Sequence, residues 1–214
     1  KKTAPIGLVW LTLSNGDFRA EEVTPDSFEA ALARIRPSEL LVDEDMKREM
    51  RAAHPEIAVS TLPDWHFDAK RGASNLCATF GMTALDAWDV TNRTTVLAAA
   101  NALLDYIRET QVALVPFIEP LKLVEESQFI VLDPSTRRNL QVDESLSANG
   151  EGPTLFSVMD HCATAMGSRE MRRWLREPLR SMEDTSARHD AVEAIMGDEP
   201  SREHFFAVQI GRAS

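Results

Sequence analysis

The segment Thr91–Gln111 constrains the fold most, because its pattern specifies one long amphipathic helix. From Val96 to Ile107, apolar residues recur at i, i+3, i+4, i+7, i+8 and i+11, which places one apolar stripe along a helix. Four polar residues fall outside the stripe: Asn101, Asp105, Arg108 and Glu109. Thr91 or Asn92 is predicted to cap the first turn. A helix of about 30 Å can span a small domain, so we expect the chain to be organised around it.

Upstream of this helix, strand-like and helix-like patterns alternate. Ile6–Leu13 is almost continuously apolar, and the Asn-Gly pair that follows predicts a hairpin. The other elements predicted in this part are strands at 18–23, 39–43 and 57–61 and helices at 25–35, 44–53 and 71–80. Pro25 is expected near the first helical position and Gly81 at a helix C-cap. This alternation predicts an α/β layer structure with at least part of its sheet parallel.

Downstream, the pattern is almost entirely helical. Pro116 and Pro120 lie in a connection that we take as the domain boundary, which gives units 1–120 and 121–214. Asp133 and Thr154 are predicted to cap helices, and 129–132 to be a short extended piece. The other helices predicted in this part are 154–162, 167–176 and 183–196, the last with the apolar stripe Ala187, Ala191, Val192 and Ile195.

Composition is that of an ordinary globular chain with a strongly acidic balance. The formal net charge is −11, and both predicted units carry more acidic than basic residues, so neither is a polyanion-binding surface by overall charge. The apolar run after Lys1 and Lys2 is too short for a membrane span and lacks a signal cleavage site, which predicts a cytosolic protein without membrane contact. Cys77 and Cys162 are interpreted as two buried thiols.

A hairpin that opens an α/β unit invites comparison with ribonuclease H-like nucleases, which hold two metal ions with carboxylates on the first strand. The first predicted strand contains no Asp or Glu. Asp17, Glu21 and Glu22 lie in the turn or on the return strand, where we expect exposed positions. The five histidines are at least 12 residues apart, and adjacent residues such as His161 and Cys162 rarely meet on a helix. These residues predict neither a catalytic nor a metal site.

Five arginines form a stripe at helical spacing, on the side opposite Met171, Trp174 and Leu175: Arg169, Arg172, Arg173, Arg176 and Arg180. One interpretation is a solvated face that is partly paired to Glu170 and Glu177. The other is a surface that contacts phosphate or another domain. Salt dependence of binding would separate the two.

Two motifs stand out in the downstream part: DPSTRRNL at 133–140 and TLFSVMDHCATAMGSREMRRWLREPL at 154–179. They resemble the MutS mismatch-repair ATPases, the first being similar to the helix that opens the MutS core and the second to the helix that follows. Upstream, RPSELLVDE at 36–44 and AANALLDYIRETQ at 99–111 are similar to the MutS connector. The resemblance covers about residues 6–196. It departs at Ala165, where the family often has Pro, and beyond Gly197, where the expected continuation is lost.

The resemblance implies an α/β ribonuclease H-like connector domain followed by an all-α fragment of the core, or lever, domain. It implies an internal fragment without catalysis that relays DNA- and ATP-dependent states and offers a surface to a MutL-type protein. By position in the family, Arg71, Ser74 and Asn75 are the contact candidates. In the full-length protein it implies an ATPase with ATP and Mg, whose P-loop lies outside this chain. It also implies that the full-length protein binds mismatched DNA through other domains and forms a homodimer. The resemblance further implies a bacterial cytoplasmic protein that associates with the nucleoid when it acts.

Two alternatives remain open on the sequence. One is an active ribonuclease H-like nuclease, which the acid-free first strand disfavours. The other is a MutS paralogue that acts on recombination junctions, since the domain that would distinguish the two is not among these residues. A truncated core would also leave apolar faces around Trp174 and Leu175 available for self-association.

Overall fold

The computed structural model describes residues 4–147 and 152–198, and these divide into two units after Glu126. The first unit contains five strands: β1 (Ile6–Thr12), β2 (Asp17–Val23), β3 (Glu39–Val42), β4 (Ala58–Thr61) and β5 (Lys122–Leu123). It also contains four α-helices: α1 (Phe28–Ile35), α2 (Lys47–Ala53), α3 (Ala69–Phe80) and α4 (Thr94–Thr110). Short 3-10 segments lie at Asp64–His66, Asp86–Trp88 and Val112–Phe117.

The strands form two small sheets. β1 and β2 make the predicted antiparallel hairpin, in which Ile6 lies opposite Val23, and β5 adds to β2 in parallel. β3 and β4 form a separate parallel pair. The hairpin turn needs a glycine at position 16, because its φ of +74° is unfavourable for other residues. The predicted α/β alternation and the partly parallel strand pairing are therefore confirmed. The observed architecture is two small sheets, one of them mixed, together with helices.

Helix α4 packs over β1 and carries the predicted apolar stripe. Val96, Ala100, Leu104 and Ile107 are buried in the main core of this unit, together with Phe18 and Leu76 from β2 and α3. The β1 backbone comes so close to α4 that a Cβ at Gly7 would lie 2.3 Å from the Thr95 carbonyl carbon. The interface therefore requires glycine at that position.

The predicted caps of two helices in this unit are wrong. Helix α4 begins at Thr94 with Arg93 at its N-cap, and the Thr91 hydroxyl donates to Asp86 (3.1 Å) rather than to the helix. Helix α1 begins at Phe28, three residues after Pro25. The Thr24 and Ser27 hydroxyls lie 3.1 Å apart and close a turn over that stretch. In both places a Thr hydroxyl forms a hydrogen bond with a nearby side chain before the helix begins. Ser and Thr side chains commonly form such local hydrogen bonds in place of helical structure.

The second unit is helical, as predicted, with α5 (Pro134–Asn139), α6 (Leu155–Met159), α7 (Ala165–Arg176) and α8 (Met182–Gly197). Asp133 and Thr154 cap α5 and α6 through their side chains, which confirms both predicted starts. Of the extended piece predicted at 129–132, Phe129 forms a single bridge with Leu179. The stripe predicted on α8 is exposed along its whole length.

Three further predictions concern particular side chains or segments. Cys77 and Cys162 are both free thiols, and Cys162 is exposed rather than buried. Within residues 4–147 and 152–198, we find no helix that is long and apolar enough to span a membrane. The departure from the family pattern beyond Gly197 falls almost entirely outside the described residues.

Candidate functional site

Helix α3 carries the predicted partner-binding residues, and its ends are fixed by local chemistry. The Asp68 side chain accepts from the Arg71 backbone N–H (2.8 Å), and Gly81 ends the helix with a φ of +64°. Both are standard helix-terminating arrangements. The inner face packs closely on α4, because a Cβ at Gly72 would lie 2.0 Å from the Leu97 carbonyl oxygen.

The structure divides the three predicted contact residues between two sides of α3. Arg71 and Ser74 are exposed, and the Ser74 hydroxyl donates to the Lys70 carbonyl oxygen (3.2 Å). Asn75 is half-buried and its amide donates to Asn101 Oδ1 (2.5 Å). The outward side of the helix is completed by two further exposed residues. We define the α3 face as Lys70, Arg71, Ser74 and Ala78.

Behind the α3 face lies a buried polar network on the seam between α3 and α4. Asn101 is fully buried, and its amide donates to the His66 carbonyl oxygen (2.6 Å) while its carbonyl accepts from Asn75. His66 is 3% exposed, and its Nδ1 lies 3.1 Å from Asp105 Oδ2. The helical pattern correctly places Asn101 and Asp105 outside the apolar stripe. It does not predict that the side of the helix on which they lie is also covered. The i, i+4 spacing of an Asn and an Asp beside that stripe is the signal that could have found the network.

The Asp105 carboxylate is the negative centre of this seam. It lies 3.7 Å from the Arg71 guanidinium and 3.5 Å from that of Arg108, in addition to its contact with His66. Arg108 also donates to the Thr79 hydroxyl (2.7 Å). One carboxylate thus faces two permanent cations, so the positive charge of Arg71 is only partly compensated.

An exposed aromatic residue adjoins the α3 face. Trp65 is 54% exposed, its ring stacks on that of His66 with centroids 3.5 Å apart, and the guanidinium carbon of Arg71 lies 5.0 Å from the Trp65 centroid. Trp65 is not predictable as a contact residue from the sequence, because a single aromatic residue in a Pro- and Asp-containing connection has no periodic signature.

The arginine stripe of α7 is partly paired within the second unit. Arg173 forms ion pairs with Glu170 and Glu177, and Arg176 with Asp143. The Arg172 guanidinium lies 4.1 Å from the Phe156 ring centroid. Arg169 and Arg172 are exposed. The pairing expected for a solvated face is present, and the role in phosphate or inter-domain contact stays a prediction.

The acidic residues of the first hairpin are engaged in ion pairs rather than exposed as expected. Glu21 is buried and pairs with Arg34 of α1, while Asp17 lies 2.7 Å from Arg19. No group of three or more His, Cys, Asp or Glu side chains that could hold a metal ion occurs within the residues that the structure describes. The carboxylates of this strand thus neutralise neighbouring cations.

The His161–Cys162 pair does not form an activated nucleophile. Desolvation and the hydrogen bond with Asp160 raise the pKa of the Cys162 thiol. The thiolate is the reactive form, so a raised pKa lowers its population at neutral pH. The imidazole Nδ1 of His161 lies 3.3 Å from the Met159 carbonyl oxygen.

Comparison with known protein families agrees with the two-unit architecture. Residues 1–119 match the model of MutS domain II, and residues 135–210 match the model of MutS domain III. The first match alone covers more than half of the chain. The chain therefore belongs to the MutS family of mismatch-repair proteins. It contains sequence of domain II, the connector, and of domain III, the core.

Proposed function

We propose that this chain is a non-catalytic coupling module of a MutS-type protein, and that the α3 face binds a MutL-type partner. The observation that carries the proposal is the two-sided character of α3. Its outer side presents Lys70, Arg71, Ser74 and Ala78 to solvent, while its inner side is fixed to α4 by close backbone contact and by the Asn75–Asn101 hydrogen bond. A surface held rigid from behind loses little conformational entropy on binding.

The same rigidity supports the relay role. α3 and α4 share a close backbone contact and a buried polar network. A displacement of α3 on partner binding would therefore move α4 with it as one rigid body. We propose that residues 1–120 form a connector with ribonuclease H-like architecture and that residues 121–214 form the first helical part of the core. Glu21 is neutralised by Arg34 and Asp17 by Arg19, which supports a scaffold role for the first hairpin.

The whole protein in which such a module works is proposed from the family. We propose a homodimeric ATPase that uses ATP and Mg and reads mismatched DNA through other domains, in the bacterial cytoplasm. In that setting the connector couples DNA- and ATP-dependent states to recruitment of the MutL-type protein.

The decisive experiment measures binding of a MutL-type protein to the immobilised 214-residue chain. We expect the double variant Ser74→Arg with Ala78→Arg to bind at least about tenfold more weakly, because two long side chains then occupy space on the α3 face that the partner needs. Asn75→Arg is unsuitable for this test, because Asn75 also supports the buried network.

The matched control adds the same two charges elsewhere. Ala52 and Ala53 are exposed on α2, so Ala52→Arg with Ala53→Arg should bind like the wild type. Equal loss in both double variants would show a general charge effect rather than a specific surface. Absence of binding by the wild-type chain at millimolar concentrations would overturn the proposed function. Mg-dependent cleavage of an RNA–DNA hybrid by the wild-type chain would contradict its non-catalytic part.

A further inference from the structure

Trp65 and Arg71 form a preorganised pair beside the α3 face. Trp65 lies in the 3-10 segment Asp64–His66, between β4 and α3, and Arg71 lies in the first turn of α3. The guanidinium carbon lies 5.0 Å from the indole centroid, within the range of a cation–π contact. Arg71 also donates to the Trp65 carbonyl oxygen at 3.4 Å. The two side chains therefore present one continuous surface that is both aromatic and cationic.

This pair rests on a buried support. The Trp65 indole stacks on the His66 imidazole, and His66 is held by Asp105 through its ring and by Asn101 through its carbonyl oxygen. Displacing the indole from the imidazole would disturb groups that are almost entirely buried. An exposed large aromatic residue with such fixed geometry is the type of residue that dominates protein interfaces.

The Arg71 guanidinium can form a further ion pair with a carboxylate of a partner. Among the described residues, the carboxylate that forms an ion pair with this guanidinium is that of Asp105, which lies 3.7 Å away and also contacts Arg108 and His66. Half of the Arg71 side chain is exposed. A planar guanidinium with this exposure can donate two parallel hydrogen bonds to a carboxylate of a binding partner.

The flanking charges select the class of partner. Asp64 and Asp68 are both exposed and lie on either side of Trp65 in the chain, opposite in sign to Lys70 and Arg71. A groove for a nucleic-acid backbone needs a cationic lining, and these two carboxylates oppose it. A protein segment with one carboxylate beside an apolar side chain matches both the single available guanidinium and the indole.

We infer that Trp65 and Arg71 are the anchor of the α3 face, and that they receive an acidic–apolar segment of the protein partner. This inference rests on the proposed function, because it names the chemistry by which the same partner is held. It makes Trp65 the central contact residue, and Ser74 and Ala78 its neighbours.

The test compares single variants in the same binding assay with the MutL-type protein. Trp65→Ala should weaken binding at least about tenfold and Trp65→Phe by only about twofold to threefold, because Phe preserves an aromatic surface. Arg71→Glu should weaken binding about tenfold or more. Arg71→Lys should cause an intermediate loss, because an ammonium cannot form the bidentate contact. The thermal melt of each variant, followed by circular dichroism, shows whether the fold is retained.

The outcomes separate this inference from the proposed function. If the wild type binds and the Ser74→Arg, Ala78→Arg double variant does not, while Trp65→Ala binds within twofold of the wild type, the function stands and the anchor is overturned. If the wild type does not bind, both are overturned. If Trp65→Ala loses stability, Trp65→Phe and Arg71→Glu decide in its place: retained binding by Arg71→Glu overturns the inference. Tight binding of an oligothymidine probe that is lost in Trp65→Ala would assign the pair to nucleic acid and overturn the choice of a protein partner.

Discussion

The two units of this chain bury their apolar residues to very different extents. In the first unit, twelve buried residues form one core around α4, and a second cluster lies beneath β3 and β4. In the second unit, Phe129 and Val142 are the buried apolar residues among those described. Large apolar side chains on its helices, and Leu140 at the C-cap of α5, are exposed. Those on the helices are Leu155, Val158, Met159, Met166, Met182, Val192, Ile195 and Met196.

The difference shows which interactions define each unit. The first unit is stabilised mainly by its buried apolar core, since burial of apolar surface is the dominant favourable term in folding. The described helices of the second unit are defined mainly by side-chain caps and ion pairs, such as those of Asp133, Thr154 and Arg173. Such contacts are individually worth about 1 kcal/mol or less. Matched substitutions in the two units should therefore have unequal costs.

The largest expected difference concerns charge. Arg34→Ala removes an ion-pair partner of Glu21, which is 1% exposed, and should lower the free energy of unfolding of the first unit by about 3–5 kcal/mol, because breaking a buried ion pair is strongly destabilising. Urea denaturation followed by circular dichroism measures the effect. The matched variant in the second unit is Glu170→Ala, which breaks a partly exposed pair with Arg173, whose side chain is 32% exposed against 45% for Glu170, and should cost about 1 kcal/mol or less.

An equal loss in the two charge variants would contradict the difference in burial. A double variant, Glu21→Leu with Arg34→Leu, provides a further control. It should recover most of the loss of Arg34→Ala, since replacing a whole buried pair with apolar residues is often neutral.

The next expected difference concerns apolar packing. Leu104→Ala in α4 opens a cavity at a site that is 1% exposed and should cost about 2–5 kcal/mol. Leu140→Ala makes the same chemical change at a side chain that is 58% exposed, and should cost less than about 0.5 kcal/mol. The measurement is the same denaturation curve. A large loss from Leu140→Ala would show that this side chain is covered in solution.

A smaller effect concerns the only tyrosine of the chain, Tyr106, which joins α4 to β3. Its hydroxyl donates to Glu39 Oε1 (2.8 Å), and this hydrogen bond raises the pKa of the phenol, with desolvation and the carboxylate charge adding to it. The stabilising contribution is therefore present at neutral pH and is lost as pH rises above about 10, the ordinary phenol pKa, through the raised value. Ultraviolet titration of the phenolate should show the raised midpoint, and Glu39→Gln should return it toward 10. An unchanged midpoint in that variant would exclude Glu39 as the cause.

Local periodicity was sufficient for most elements of the fold. The stripe from Val96 to Ile107 predicted the long helix, and the Asn-Gly pair predicted the hairpin, because both signals are contained in a few neighbouring residues. The start of α4 was predicted wrongly, because Thr91 bonds to Asp86 instead of capping the helix. That choice depends on the three-dimensional course of the chain.

The candidate site was predicted only in part for the same reason. Arg71 and Ser74 came from family resemblance, and the structure places both on the outer side of α3. Two contacts of the site join segments that are distant in sequence, because Asn75 donates to Asn101 and the histidine on which Trp65 stacks is held by Asp105. No periodicity within one element reports such pairs. The same limit explains why buried Glu21 was expected to be exposed.

The smallest expected effect concerns the cap of α5 in the second unit. The Asp133 carboxylate accepts hydrogen bonds from the Ser135 hydroxyl (2.5 Å), the Thr136 hydroxyl (2.5 Å) and the Thr136 backbone N–H (2.9 Å). These bonds hold the pKa of Asp133 far below the ordinary value for aspartate. The contribution of the cap is therefore fully present above about pH 4 and is lost as pH falls through the depressed value. Carboxyl carbon NMR should show the low midpoint, with fraying of Pro134–Asn139 in parallel. Asp133→Asn keeps a capping side chain that does not titrate, so its α5 signals should be independent of pH in this range. If those signals still change with pH, the cap is not the titrating group.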